Sequence, residues 1–140
     1  LSRWIGPNND SALDGPVGTY TYRTTFDLTG FIPSSAVLTG NWTTDNNGLD
    51  ILINGTPLGF TTSFTAFSSG FVPFTVSSGF VPGLNTLDFV VNNGGGPTAL
   101  RVEVSSATAT PITPTVPEPA SLLLLGSGLA GLVAWKRRRS

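Results

Sequence analysis

Tyr20-Thr21-Tyr22-Arg23-Thr24-Thr25-Phe26-Asp27-Leu28 is the stretch that decides the fold. Tyr20, Tyr22, Phe26 and Leu28 alternate with Thr21, Arg23, Thr25 and Asp27. A period of two sets one apolar face against one polar face, as in a half-buried β-strand. Downstream, Ala36 to Trp42 leads into the polar Thr43 to Gly48. Leu49, Ile51 and Ile53 then share a face opposite Asp50, Leu52 and Asn54. Asn54-Gly55 follows, a hairpin signal because both residues tolerate positive φ. Phe64 to Phe67, Phe71 to Val76, Asn85 to Asn92 and Ala99 to Ser105 are further strand-like segments. In the last of these, Leu100, Val102 and Val104 face away from Arg101, Glu103 and Ser105. Ser68-Ser69-Gly70, Pro82-Gly83 and Asn93 to Pro97 supply the turns between them. Upstream, Trp4-Ile5 is expected to pack on the end of the resulting body. The chain therefore reads as an all-β protein, an antiparallel β-sandwich of the jelly-roll kind with seven or eight strands over residues 1–106.

Composition agrees with one short-stranded domain large enough to bury its own core: only 11% of the 140 residues are charged, and 17 are glycine. The chain has 7 Lys plus Arg and 8 Asp plus Glu. Setting aside Lys136 to Arg139 and Glu118 leaves 3 cations against 7 acids, a net charge of −4 for the body, which argues against nucleic acid as a partner. Cysteine and histidine are both absent. That removes disulfides, thiolate and imidazole metal sites, and the Ser-His-Asp and Cys-His catalytic arrangements. Carboxylate pairs remain, Asp45 with Asp50 or Asp88 with Glu103, but their turn and strand positions give each a structural role. No catalytic residue and no resident cofactor is expected.

The C-terminal end has a different character. Residues 107–115 (ATATPITPT) form a Thr/Pro stretch without apolar periodicity, read as an extended linker. Val116-Pro117-Glu118-Pro119 follows; two prolines one residue apart keep this segment out of a helix. Residues 120–135 (ASLLLLGSGLAGLVAW) carry no charge. As a helix they would extend about 24 Å, short of a bilayer core yet sufficient with Trp135 and flanking cations at the interface. Lys136, Arg137, Arg138 and Arg139 form a stop-transfer cluster. It sets the C-terminus of this single transmembrane helix in the cytoplasm and the β-domain across the inner membrane. A secretory signal ahead of Leu1 is expected on the same logic.

Val116 to Pro119, a short apolar helix and a terminal Arg cluster, in that order and spacing, resemble the PEP-CTERM sorting signal of Gram-negative bacteria. The resemblance covers residues 116–140. It implies recognition by an exosortase, a membrane-embedded transpeptidase-like enzyme that cleaves near Pro-Glu-Pro and passes the cargo to the cell surface or outside. It also implies a setting in exopolysaccharide and biofilm formation.

Within the cargo, Leu38-Thr39-Gly40-Asn41-Trp42-Thr43-Thr44-Asp45-Asn46, Leu49 to Gly55, and Gly83-Leu84-Asn85-Thr86-Leu87 resemble the galactose-binding-like β-sandwich. Trp42, Asp45, Asn46 and Asn47 are the candidate ligand-binding cluster, because an aromatic face with planar amides and carboxylates is what holds a sugar. Asn92 to Gly96 is a second candidate loop. Asp10 and Asp14 form a candidate calcium site, the one ion considered. The expected function is that of a non-enzymatic surface or matrix protein, a lectin-like module binding exopolysaccharide or another glycan being the alternative. An ice-binding or adhesin role is a further alternative, which the absence of a regular Thr-x-Thr array disfavours. An exposed Trp42 would favour the lectin.

Overall fold

The computed structural model describes residues 2–9 and 13–113. The expected sorting motif, transmembrane helix and basic tail lie outside the described residues, as does Asp10. Among the described residues there are seven strands: β1 (Gly18–Asp27), β2 (Phe31–Asp45), β3 (Asn47–Ile53), β4 (Thr56–Pro57), β5 (Val72–Val76), β6 (Leu84–Asn93) and β7 (Ala99–Pro111). They form two antiparallel sheets, one in the order β1-β6-β3-β4 and the other in the order β5-β2-β7.

The core lies between the sheets. Leu87, Phe89 and Val91 of β6 and Ile51 and Ile53 of β3 meet Leu38 and Trp42 of β2, Phe74 and Val76 of β5, and Leu100 of β7. Phe89 bridges the layers, its ring centroid 5.8 Å from both Trp42 and Phe74. Edge and tilted ring contacts of this kind add to the area that the rings bury. Gly40 sits where β2 passes under Phe74: a Cβ there would lie 2.6 Å from the ring and 2.6 Å from the Glu103 carbonyl oxygen. Asn54 and Gly55 have φ of 50° and 80°, so the Asn-Gly turn between β3 and β4 forms as its chemistry requires.

Four local expectations are corrected. Leu49 does not share the buried face of Ile51 and Ile53. The β3–β6 register slips between Gly48 and Asp50, and the extra residue, Leu49, is exposed. Phe64 to Phe67 is a loop entering the one-turn helix α1 (Ala66–Ser69), because Ser68 and Ser69 turn back through N–H and hydroxyl onto the Thr65 carbonyl. Ile5 does more than pack on the end of the sandwich: it pairs with the start of β7, where Ile5 and Leu100 exchange both backbone hydrogen bonds at 2.9 Å, and Trp4 stays at that end. The linker does not start at Ala107: Ala107 to Pro111 continue β7 and pair with Phe31 to Leu38. A strand facing small alanines on one side and water on the other shows no apolar period, so its Thr/Ala/Pro composition reads as a spacer.

Candidate functional site

The end of the sandwich where β2 finishes and β3 starts holds the expected ligand cluster, arranged differently from expectation. Trp42 is fully buried in the core against Phe89 and offers no face to a ligand. Its position in the inward phase of β2 fixes this, and its role as a sugar platform is withdrawn. Asn46 is also buried: its Oδ1 accepts from the Gly94 N–H at 2.7 Å and its Nδ2 donates to Asp45 Oδ1 at 2.9 Å. It ties β2 to the loop after β6 and so acts in the scaffold. Asn47 opens β3, half-buried opposite Asn92. Asn93 is fully buried, donating to the carbonyls of Gly15 and Pro16 and accepting from Gly95 N–H.

Asp45, half-buried like Asn47, lies beside a different tryptophan. Trp4, Phe67 and Ala99 line with it a depression of about 280 Å³. Trp4 is 41% exposed and Phe67 is 48% exposed, so both rings keep a face toward solvent. Burial pushes the Asp45 carboxyl above its usual range, with the Asn46 hydrogen bond opposing. Behind Trp4 a second cleft of about 480 Å³ runs between Pro7, Asn8, Asp14 and Thr98. Thr98 Oγ1 in its wall is buried and has no hydrogen-bond partner among the described residues. Around Trp4, therefore, exposed aromatic rings and the Asp45 carboxylate share one depression, while the Thr98 hydroxyl is closed off from solvent in the wall of the other. The sequence assigned Trp4 to packing because nothing local marks it. It comes beside Asp45 because Ile5 pairs with Leu100 and Ser2 bonds to Arg101 and Glu103.

Asp14 stands in this cleft, but its expected calcium partner Asp10 lies outside the described residues. Among the described residues no group of three or more acidic side chains is close enough to hold a metal ion.

The remaining carboxylates are engaged elsewhere. Asp88, on the outward face of β6, is buried and takes both Arg23 Nε and Nη2 at 2.7 Å. Those bonds, with the guanidinium charge, hold its carboxyl below the usual range against the effect of burial. Glu103, on the outward face of the other sheet, accepts from Ser2 Oγ at 2.6 Å and from Arg101. The two carboxylates thus lie on opposite outer faces. Asp50 Oδ1 accepts from the N–H groups of Ile51 and Gly59, holding the chain that leaves β4.

Residues 115–139 match the family described as the PEP-CTERM protein-sorting motif. The chain carries a PEP-CTERM sorting signal. The matched span takes in Val116 to Pro119 and the cluster Lys136 to Arg139. This PEP-CTERM signal indicates a secreted protein processed by an exosortase. No curated protein and no solved structure matches the chain. Among the described residues no helix is long and apolar enough to cross a membrane.

Proposed function

We propose that this protein is a non-enzymatic component of the cell surface or extracellular matrix. Its precursor is anchored in the inner membrane by residues 120–135 with Lys136 to Arg139 in the cytoplasm, and exosortase processing near Val116 to Pro119 delivers the sandwich outward. The PEP-CTERM match carries this reading. The engagement of Asp50, Asp88 and Glu103 in structural hydrogen bonds supports the absence of turnover. Among sandwich folds we infer the galactose-binding-like jelly roll, because Asn54 and Asn85 of the resembling segments are both used to close the β3 and β6 ends. The test is fractionation of the native host with and without its exosortase, using the wild-type chain and the triple variant Pro117→Ala, Glu118→Ala, Pro119→Ala. A shortened product outside the inner membrane, replaced by full-length membrane-bound protein in the variant and in the exosortase-deficient host, is expected. An unprocessed wild-type chain in the competent host would overturn the reading.

A lectin-like role in exopolysaccharide is the second reading, favoured by the depression that Trp4, Phe67 and Asp45 share. Calorimetric titration of host exopolysaccharide into the protein, with and without Ca²⁺, should give saturable heat that Trp4→Ala abolishes while the fold is retained. Heat unchanged in Trp4→Ala, or no heat from the folded wild type, would remove the glycan from the proposal.

A further inference from the structure

The chain leaves the sandwich at the end closed by Asn54 and Asn85. Ile112 N–H donates to Gly30 O at 2.8 Å, Phe31 N–H to Leu28 O at 3.0 Å and Leu28 N–H to Gly83 O at 2.9 Å, so the starts of β2 and β6 and the finish of β7 meet there. Five large apolar side chains of these segments reach solvent: Phe31, Ile32, Val81, Leu84 and Ile112, with Leu84 67% and Ile112 55% exposed. Beside them, on the flank between β1 and β7, an apolar cleft of about 350 Å³ opens, with Leu28, Phe31, Phe80 and Ala109 among its walls.

The backbone at this end is satisfied from within. Asn85, fully buried, accepts from Val81 N–H and donates to the carbonyls of Val81 and Gly83, and Asn54 donates to Gly79 O. The loop that carries Val81 and Leu84 thus turns these polar groups inward and its apolar side chains outward, as a surface facing a poorly hydrated medium requires. Asp27 is the one charged residue in the segments 27–32, 79–84 and 110–113, and its Oδ1 accepts from the Thr29 N–H at 2.7 Å. The exposed rings of the opposite end, Trp4 and Phe67, instead share their surface with Asp45, and Asp14 stands behind Trp4.

From Ile112 to Ala120, where the uncharged run of residues 120–135 begins, there are eight residue steps, which span at most about 28 Å. We propose that in the precursor this end rests on the lipid surface, with Val81, Leu84 and Ile112 at the boundary of headgroups and acyl chains and the Trp4 end directed away from the membrane. The proposal rests on the anchoring of the precursor by residues 120–135 given above. So short a tether holds the patch against lipid at high effective concentration, and a few exposed apolar side chains then suffice where an untethered domain would dissociate. A globular partner would have to fit within the gap that the same reach allows, which is why lipid is the occupant. The three segments hold no cation, so the contact is apolar and does not draw on anionic headgroups.

The sequence has no cysteine, so single nitroxide labels can be placed on the full chain. In nanodiscs of phosphatidylethanolamine and phosphatidylglycerol, label depth is read from collision with oxygen and with a water-soluble nickel chelate. The label of Leu84→Cys should lie up to about 5 Å below the phosphates, that of Ala130→Cys in the hydrocarbon and that of Phe67→Cys in water. Val81→Ser combined with Ile112→Ser should return the Leu84→Cys label to water with circular dichroism unchanged, whereas omitting phosphatidylglycerol should leave its depth as it was. A Leu84→Cys label in water while that of Ala130→Cys is in hydrocarbon would overturn the docking and leave the anchoring standing. An Ala130→Cys label in water would overturn both. A Leu84→Cys label shielded from oxygen and chelate alike would overturn the proposal in favour of a second copy of the chain as the occupant.

Discussion

The two ends of the sandwich are made from the same residues, asparagine, aspartate and glycine in turns, and use them oppositely. At the end where β3 turns into β4, Asn85 is fully buried and spends all of its amide: Oδ1 accepts from Val81 N–H and Asn54 Nδ2, and Nδ2 donates to the carbonyls of Val81 and Gly83. Asn54 completes the lock, donating to Gly79 O and accepting from Thr86 N–H. At the other end Asn46 and Asn93 tie the loops, but the half-buried Asp45 carboxylate has only Asn46 as a side-chain partner and Thr98 Oγ1 has none among the described residues. A buried polar group left unsatisfied costs stability, a cost that Trp42 Nε1 and Tyr22 Oη carry as well as Thr98. One end is closed by a fully satisfied asparagine lock; the end around Trp4 keeps exposed rings and a half-buried carboxylate.

The contrast between Trp42 and Trp4 gives the largest expected effect. Trp42→Ala should cost about 4 kcal/mol, read by urea unfolding, because it empties the centre of the core. A loss below about 1 kcal/mol would show that the two sheets do not pack through this ring. Asn85→Ala should cost about 2 kcal/mol and Asn54→Ala less. In a double-mutant cycle the pair should be coupled, since Asn54 Nδ2 donates to Asn85 Oδ1 at 2.8 Å. Additive losses would separate the two halves of the lock.

The pH response should divide the carboxylates. Asp88, held low by Arg23, stabilises the fold above the ordinary aspartate range of about 4, and that contribution is lost as pH falls through its depressed value. Asp88→Asn should therefore flatten the acid limb of the stability curve. Asp45, pushed up by burial, favours the fold while protonated and loses that contribution as pH rises through its raised value. Asp45→Asn should remove a modest decline that sets in as pH rises from the ordinary aspartate range through the raised value, measured by thermal midpoints. Curves of the two variants that move in the same direction would contradict the opposite shifts of the mid-sheet and the end carboxylate. Smallest of all, Trp4→Ala should change stability by less than about 1 kcal/mol, because the ring is 41% exposed.

The strand pattern was legible where a strand keeps one face inward without interruption. Tyr20 to Leu28, Ile51 with Ile53, and Leu87 with Phe89 and Val91 show period two because the opposing sheet imposes it. It failed at Leu49, where one extra residue in β3 reverses the phase. It failed again at Ala107 to Pro111, where a flank of small residues leaves no period to read. Of the candidate cluster, the sequence did not show that Trp42 and Asn46 are buried, nor that half-buried Asp45 shares a depression with Trp4, 41 residues earlier.

By itself the sequence determined the all-β class, the Asn54-Gly55 turn, the exclusion of thiol and imidazole chemistry, and the sorting signal in residues 115–139. Each of these depends on residues adjacent in the chain or on composition. The tertiary structure decided which tryptophan is core, which carboxylates are engaged, and where the sandwich stays open between β1 and β7. Those outcomes rest on register and on sheet packing between strands distant in sequence, and no local pattern encodes them.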